Sequence, residues 1–293
     1  MKSKASDKKE HPCVVPNGCL VIIGGAENKD QTAGERFAEQ LKTGTSVLEE
    51  FIKCCKHKAP RVELITTASE EDIEGTFKEY EAVFKKLGAA EVGHIHHNRR
   101  DELVDEELIA RIAAADGVFV SGGDQLRLTS LYGGSNFITE LKQAYLFKRL
   151  VVGGTSAGAM ALSTPMIFGG TGNQEMVAAG VKVTTGFEFL KDVCIDTHFV
   201  HRGRFVRMAQ VIATNPASIG IGIEEDTAII IRNGVDGTVC GSGVVIITDG
   251  CESSSSNIVD YDDNKKITIR DLRVSILSAG EEFLIPQRNP PHQ

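Results

Sequence analysis

Short apolar runs recur along the first half of the chain, each stopping at glycine or a small polar residue and each followed by a helix-length stretch. They are Cys19–Ile23 before Gly24-Gly25, then 61–67, 91–96, 117–121 before Gly122-Gly123, and 150–153. Runs this short are too brief for buried helices and fit strands covered on both faces. Between them, Ile73, Phe77, Tyr80, Phe84 and Leu87 recur at helical spacing and Gly88 closes the pattern. Ser69-Glu-Glu-Asp72 reads as a capping box that opens this helix. Helices are also expected over 105–114, 126–131 and 137–147, and the polar stretch 32–56 permits one. Strands alternating with helices predict an α/β fold, a parallel sheet with helices on both faces.

The pattern changes after about residue 215. The stretches 219–231, 238–248, 266–269 and 274–277 are rich in β-branched residues, with Asn233-Gly234 and Asp236-Gly237 as turn signals. This makes the C-terminal third β-rich and largely antiparallel. The run 252–257, with four consecutive serines, reads as a solvated loop. No repeat and no flexible linker divides the chain. Residues 1–16 read as a charged, frayed leader, and 17–293 as a single α/β domain.

Composition narrows the class of partner. The 293 residues carry 32 Lys+Arg against 40 Asp+Glu, a formal charge of −8, which argues against nucleic acid. Seven cysteines, with no CxxC spacing, suit reduced thiols in a cytoplasmic protein better than a disulfide scaffold or a zinc ribbon. The charged N-terminus leads into no long apolar core and is not read as a signal peptide. The uncharged stretch 150–174 has the length of a membrane span, but its glycines, serines and threonines fit a packed interior with a turn. No membrane association is expected.

Chemistry gathers at Gly153-Gly-Thr-Ser-Ala-Gly-Ala159, where a buried strand runs into small residues with a serine at the corner. That is what a nucleophile elbow requires, since small neighbours let the backbone come close while the Ser156 hydroxyl is held clear. Helix–sheet packing alone, or a phosphate cradle, explains the small residues about as well; a P-loop is excluded because no Gly-Lys-Ser/Thr follows. A serine needs a base, itself oriented by a third group. His198, at the expected end of a strand, is the candidate base, and the charged turn Glu224-Glu225-Asp226 between two apolar runs offers the orienting acid. Backbone amides of Gly122-Gly123-Asp124-Gln125 and of Ala157 are candidates for an oxyanion hole. Arg202, Arg204 and Arg207 crowd the segment after His198, which suits recognition of a carboxylate. His94, His96 and His97 have a metal-like spacing but no carboxylates beside them.

Four motifs in order carry a resemblance: Ser121-Gly-Gly-Asp-Gln125, Gly153–Ala159 as above, Asp196-Thr-His-Phe with Arg202-Gly-Arg-Phe-Val-Arg207, and Gly222-Ile-Glu-Glu-Asp-Thr-Ala228. Over about residues 19–283 the chain resembles the dipeptidase E-like serine peptidases, and among them the cyanophycinases. The resemblance implies a three-layer α/β sandwich around a mostly parallel central sheet, like flavodoxin and the class I glutamine amidotransferases. It also implies a homodimer and an exopeptidase that releases β-Asp-Arg dipeptides from cyanophycin, a poly-aspartate with arginine on each β-carboxyl. By position it makes Ser156 the nucleophile, His198 the base and Glu225 its orienting acid, with Glu175 as the alternative acid. Gly123 and Ala157 match the oxyanion hole, and Gln125, Asp196, Thr197, Arg202, Arg204 and Arg207 match the substrate pocket. Thr197 stands where cyanophycinases commonly carry glutamine, which shortens a side chain expected near the substrate. No metal or organic cofactor is implied. A hydrolase of small Asp-X peptides, and a non-catalytic binding module on the same fold, are the alternative readings.

Overall fold

A strand of five apolar residues has no polar face to turn to water, so the 19–23 run belongs in the middle of a sheet. The computed structural model describes residues 14–29, 46–170, 172–260 and 264–286, and it places that run there. In chain order the first half contains β1 (Cys19–Ile23), α1 (Val47–Cys54), β2 (Arg61–Ile65), α2 (Ile73–Lys86), β3 (Glu91–Ile95), α3 (Asp105–Ala114), β4 (Gly117–Val120), α4 (Gln125–Tyr132), α5 (Asn136–Phe147), β5 (Val151–Thr155) and α6 (Ala157–Ala161). The second half adds β6 (Ser163–Thr164), β7 (Met166–Gly169), β8 (Lys182–Thr184), β9 (Leu190–Lys191), β10 (Val193–Thr197), α7 (Phe205–Thr214), β11 (Ile219–Ile223), β12 (Thr227–Arg232), β13 (Asp236–Gly241) and β14 (Val245–Asp249). Four short strands close the chain: β15 (Ser255–Ser256), β16 (Ile269–Arg270), β17 (Arg273–Leu277) and β18 (Glu282–Leu284).

The large sheet has eight strands in the order β18-β13-β12-β1-β5-β4-β2-β3. From β1 through β5, β4 and β2 to β3 every pairing is parallel, whereas β12, β13 and β18 add antiparallel pairings on the other side. Alternate residues of β1 serve opposite faces. Val21 and Ile23 pack with Phe51 of α1, Tyr80 and Phe84 of α2, and Phe119. Leu20 and Ile22 join the larger core built with α3, α4, α5 and α6. Helices thus cover both faces, as the alternation in the sequence predicts.

The C-terminal third is β-rich and its strands pair antiparallel with one another, as expected. They divide between the large sheet and a second, six-stranded sheet in the order β17-β14-β11-β10-β6-β9. The 219–231 stretch is therefore two strands in two sheets, β11 beside β10 and β12 beside β1. Glu224-Glu225-Asp226 is the crossing between them, held where the ends of β1 and β10 meet. Smaller departures are local. The helix after β2 is capped by Asp72, whose carboxylate accepts from the Gly75 amide at 3.2 Å, while the Ser69 hydroxyl donates to the Glu71 carbonyl. Of the 266–269 stretch only Ile269 joins a strand, with Arg270 in β16. Ser255 and Ser256, inside the expected serine loop, form the exposed strand β15. The uncharged 150–174 stretch is broken into β5, a sharp turn, α6, β6 and β7, and among the described residues no helix is long and apolar enough to cross a membrane. Residues 1–13 of the expected leader, and 32–45 of the expected polar stretch 32–56, lie outside the described residues.

Candidate active site

The site is built at the ends of β1, β5 and β10. β5 is buried along its whole length, and α6 turns back against the sheet directly behind it. The close fit depends on missing side chains: a Cβ at Gly158 would sit 2.2 Å from the Val120 carbonyl oxygen. At the corner Ser156 adopts φ 50° and ψ −117°, a conformation costly for a residue with a side chain and held by the packing on either side. Its amide donates to the Ile23 carbonyl at 3.2 Å, while its hydroxyl makes no cap to α6 and donates to His198 Nε2 at 3.0 Å.

His198 follows β10 at φ 48° and is buried. Its amide donates to the Gly24 carbonyl at 2.8 Å, and its ring lies against Gly25. Gly25 has φ +98°, and a Cβ there would stand 2.4 Å from the ring's Cε1 and Nε2, so two constraints require glycine. Nδ1 of His198 lies 2.6 Å from Glu225 Oε1. With Glu225 accepting from Nδ1–H, Nε2 carries the lone pair that faces Ser156, which is the tautomer a general base needs. The hydrogen bond from His198 is the main cause that holds the Glu225 carboxyl below its ordinary value, helped by the charges of His201 and Arg202 and opposed by burial.

The other two acids of this turn have different duties. Glu224 accepts from the Val200 and His201 amides at 2.5 and 3.0 Å, which anchors the turn after His198. Asp226 accepts from the Asn28 amide at 3.0 Å and its own amide donates to the Gly25 carbonyl, which ties the 24–28 loop to the acid turn. Glu175 lies in the 3-10 turn Gly172–Met176, where its carbonyl accepts from the Gln210 side chain beside α7. The Cβ position of Gly122 is 3.3 Å from Ser156 Cβ, so the β4 exit that leads to Gly123 borders Ser156. The Ala157 amide opens α6, where helix geometry provides no carbonyl for it.

The expected substrate residues are placed differently. Asp196 is fully buried, and its carboxylate takes Nε of Arg207 at 2.6 Å, Nη2 of Arg207, and Nη1 of Arg204 at 3.1 Å. Arg204 also donates to the Thr197 carbonyl at 2.7 Å, and burial pulls its guanidinium below the ordinary arginine value. The one carboxylate is thus shared by two guanidinium groups beneath the turn, and none of the three lines the cleft around Ser156. Thr197 is fully buried in register with Ile223, because β10 is covered on both faces, and its hydroxyl has no hydrogen-bond partner among the described residues. Gln125 begins α4 and donates to the Ile167 carbonyl at 2.8 Å, which binds α4 to β7. Of the arginines only Arg202 is exposed, on the turn after His198.

A cleft of about 510 Å³ opens onto Ser156 and His198, and Glu27, Lys29, Tyr80 and Gly122 line it. The segment 24–29 was missed by sequence reasoning, although Gly24-Gly25 ends a buried strand just as Gly122-Gly123 does. The three clustered histidines belong elsewhere. His94 and His96 share the Thr66 hydroxyl at 2.7 and 3.0 Å, and His97 meets the Tyr132 hydroxyl at 2.9 Å. Burial is the main cause that lowers His94 and His97 below the ordinary imidazole value. No group of three or more His, Cys, Asp or Glu among the described residues is arranged to hold a metal ion.

The chain is 33% identical over 279 residues to a cyanophycinase of Synechococcus elongatus, covering 94% of this chain and 82% of the relative. It is 31% identical over 271 residues to a cyanophycinase of Trichormus variabilis, covering 92% and 86%. The crystal structure of a peptidase from an acI-B1 Actinobacterium superposes with a TM-score of 0.64 at 22% identity, over 93% of this chain and 98% of that one, which shows a shared fold. The sequence model of peptidase family S51 matches residues 32–236, well over half of the chain. The chain belongs to peptidase family S51.

Proposed function

We propose that this protein is a serine exopeptidase that hydrolyses cyanophycin to β-Asp-Arg dipeptides through an acyl-enzyme. The observation that carries the reading is the continuous relay from Ser156 Oγ to His198 Nε2 and from His198 Nδ1 to Glu225, at 3.0 and 2.6 Å. The relatives named above, which are cyanophycinases, supply the substrate.

In this mechanism His198 Nε2 takes the Ser156 proton as Oγ attacks the main-chain carbonyl after an aspartyl residue. The Gly123 and Ala157 amides hold the oxyanion, each worth about 3 kcal/mol in the transition state. Glu225 stabilises the imidazolium. His198 then gives its proton to the departing amine, the C–N bond breaks and the acyl-enzyme remains. Water attacks the ester with His198 again as base, which releases the acid and restores Ser156. The placement in the cytoplasm and the homodimer belong to the same proposal. The exposed Val274 and Ile276 on the edge strand β17 offer an apolar contact for a second copy.

The test is incubation with insoluble cyanophycin, with products read by mass spectrometry beside Ser156→Ala. Release of β-Asp-Arg that falls at least ~1,000-fold in the variant is expected. Cleavage of small Asp-X peptides without β-Asp-Arg release would move the protein to a dipeptidase role. A Ser156 that no fluorophosphonate labels would indicate a binding module.

A further inference from the structure

One carboxylate in the cleft forms no ion pair among the described residues. Glu27 is 7% exposed, yet it borders the space in front of Ser156 and His198. Its Oε1 accepts from the Tyr80 hydroxyl and its Oε2 from the Thr155 hydroxyl at 2.6 Å. An ionised carboxylate offers about four acceptor sites, so about half remain unused. Among the described residues no cation forms an ion pair with it. Lys29, two residues on, is held by Glu79 at 2.7 Å and lies 4.1 Å over the Tyr80 ring. A charge taken out of water without a partner is costly, and a ligand cation that supplies the partner recovers that cost. Asp196, an acid expected in the substrate pocket, is instead engaged by Arg207 and Arg204. Glu27 is the buried acid left facing the reaction.

We propose that Glu27 is the specificity carboxylate of the site, pairing with a cationic group of the substrate while the scissile carbonyl lies at Ser156. This rests on the peptidase reading of the cleft. Two parts of an aspartyl-arginine substrate carry the required chemistry, the side-chain guanidinium and a free α-ammonium. Both are planar or compact N–H donors that suit an anion already held by one hydroxyl at each oxygen, from Tyr80 and Thr155. Thr155 precedes the nucleophile, so the same contact sets the bound cation at a defined distance from Oγ.

Binding to Ser156→Ala protein, read by calorimetry, tests this without turnover. The probes are β-Asp-Arg, β-Asp-citrulline, which replaces the guanidinium with a neutral isostere, and β-Asp-Arg acetylated at its α-amine. One neutralised probe is expected to bind roughly 10- to 100-fold more weakly, the range a charged hydrogen bond represents, and which probe it is identifies the group that Glu27 holds. Adding Glu27→Gln, which keeps the size and one acceptor, should weaken β-Asp-Arg by a similar factor and abolish the difference between the probes. Equal binding of all three probes to the parent, or binding of none, overturns the inference, as does an equal loss for all three in Glu27→Gln. Failure of the cyanophycin assay with the probe preference intact would refute the substrate reading and leave Glu27's role standing.

Discussion

Glu225 shows how far a single side chain can be pressed into service by its neighbours. It is partly open to solvent, yet its carboxyl lies below the ordinary value because His198 donates to it. The folded pKa is thus lower than the unfolded one. Its contribution to stability is present above the unfolded carboxylate value, roughly 4.3, and is lost as pH falls through the folded value. Glu225→Gln should therefore melt below the parent at neutral pH, with the gap closing as the medium is acidified below about pH 4. The same variant should lose roughly 10³- to 10⁴-fold in kcat, since an amide cannot stabilise the imidazolium. Thermal melts across pH and steady-state rates check the two halves; a gap that persists unchanged in acid would show that the carboxylate is not its source. Ser156 and His198 were legible in the sequence because strand ends and small residues mark them. Glu27 was not, because nothing in one dimension shows that an acid after Gly25 lies buried against Tyr80 and Thr155.

At the scale of elements, the β10–α7 connection illustrates how charge density misleads. Three arginines in six positions read as a binding surface, but one helical turn brings Arg207 back onto Asp196, and Arg204 covers the same carboxylate. The cluster joins the last turn of β10 to the start of α7 and so fixes the position from which His198 projects. Arg207→Met should cost about 3–5 kcal/mol in urea unfolding, because Asp196 is left buried with only Arg204. Combining it with Asp196→Asn should recover most of the loss. A substrate-binding role predicts the opposite pattern, a raised KM at unchanged stability.

Over the whole molecule, the two sheets are joined through one core. Leu20, Val118 and Val152 of the large sheet share a buried cluster with Ile195, Ile221 and Val245 of the second sheet, and α6 packs against both β5 and β10. We propose that residues 17–293 fold as one unit, a reading this shared core of the described residues supports, and expect a single calorimetric transition whose van't Hoff and calorimetric enthalpies agree. Two separated transitions would divide the chain at the sheet boundary. The crossing at 224–226 that joins the sheets also delivers Glu225, so unfolding of either sheet should abolish activity at the same temperature.

The sequence by itself determined the parallel half of the fold and marked the sharp corner at Ser156 together with the candidate residues His198 and Glu225. Each of these is written in local pattern: unbroken apolar runs, helical spacing, and glycines where a strand must turn sharply against a helix. Tertiary structure alone decided the rest. Whether an acid lies in a cleft or under an arginine depends on which elements pack over it, and that separates Glu27 from Asp196. Which of three adjacent acids meets His198 depends on a chain crossing between two sheets, a long-range event that leaves no periodic trace in the residues that make it.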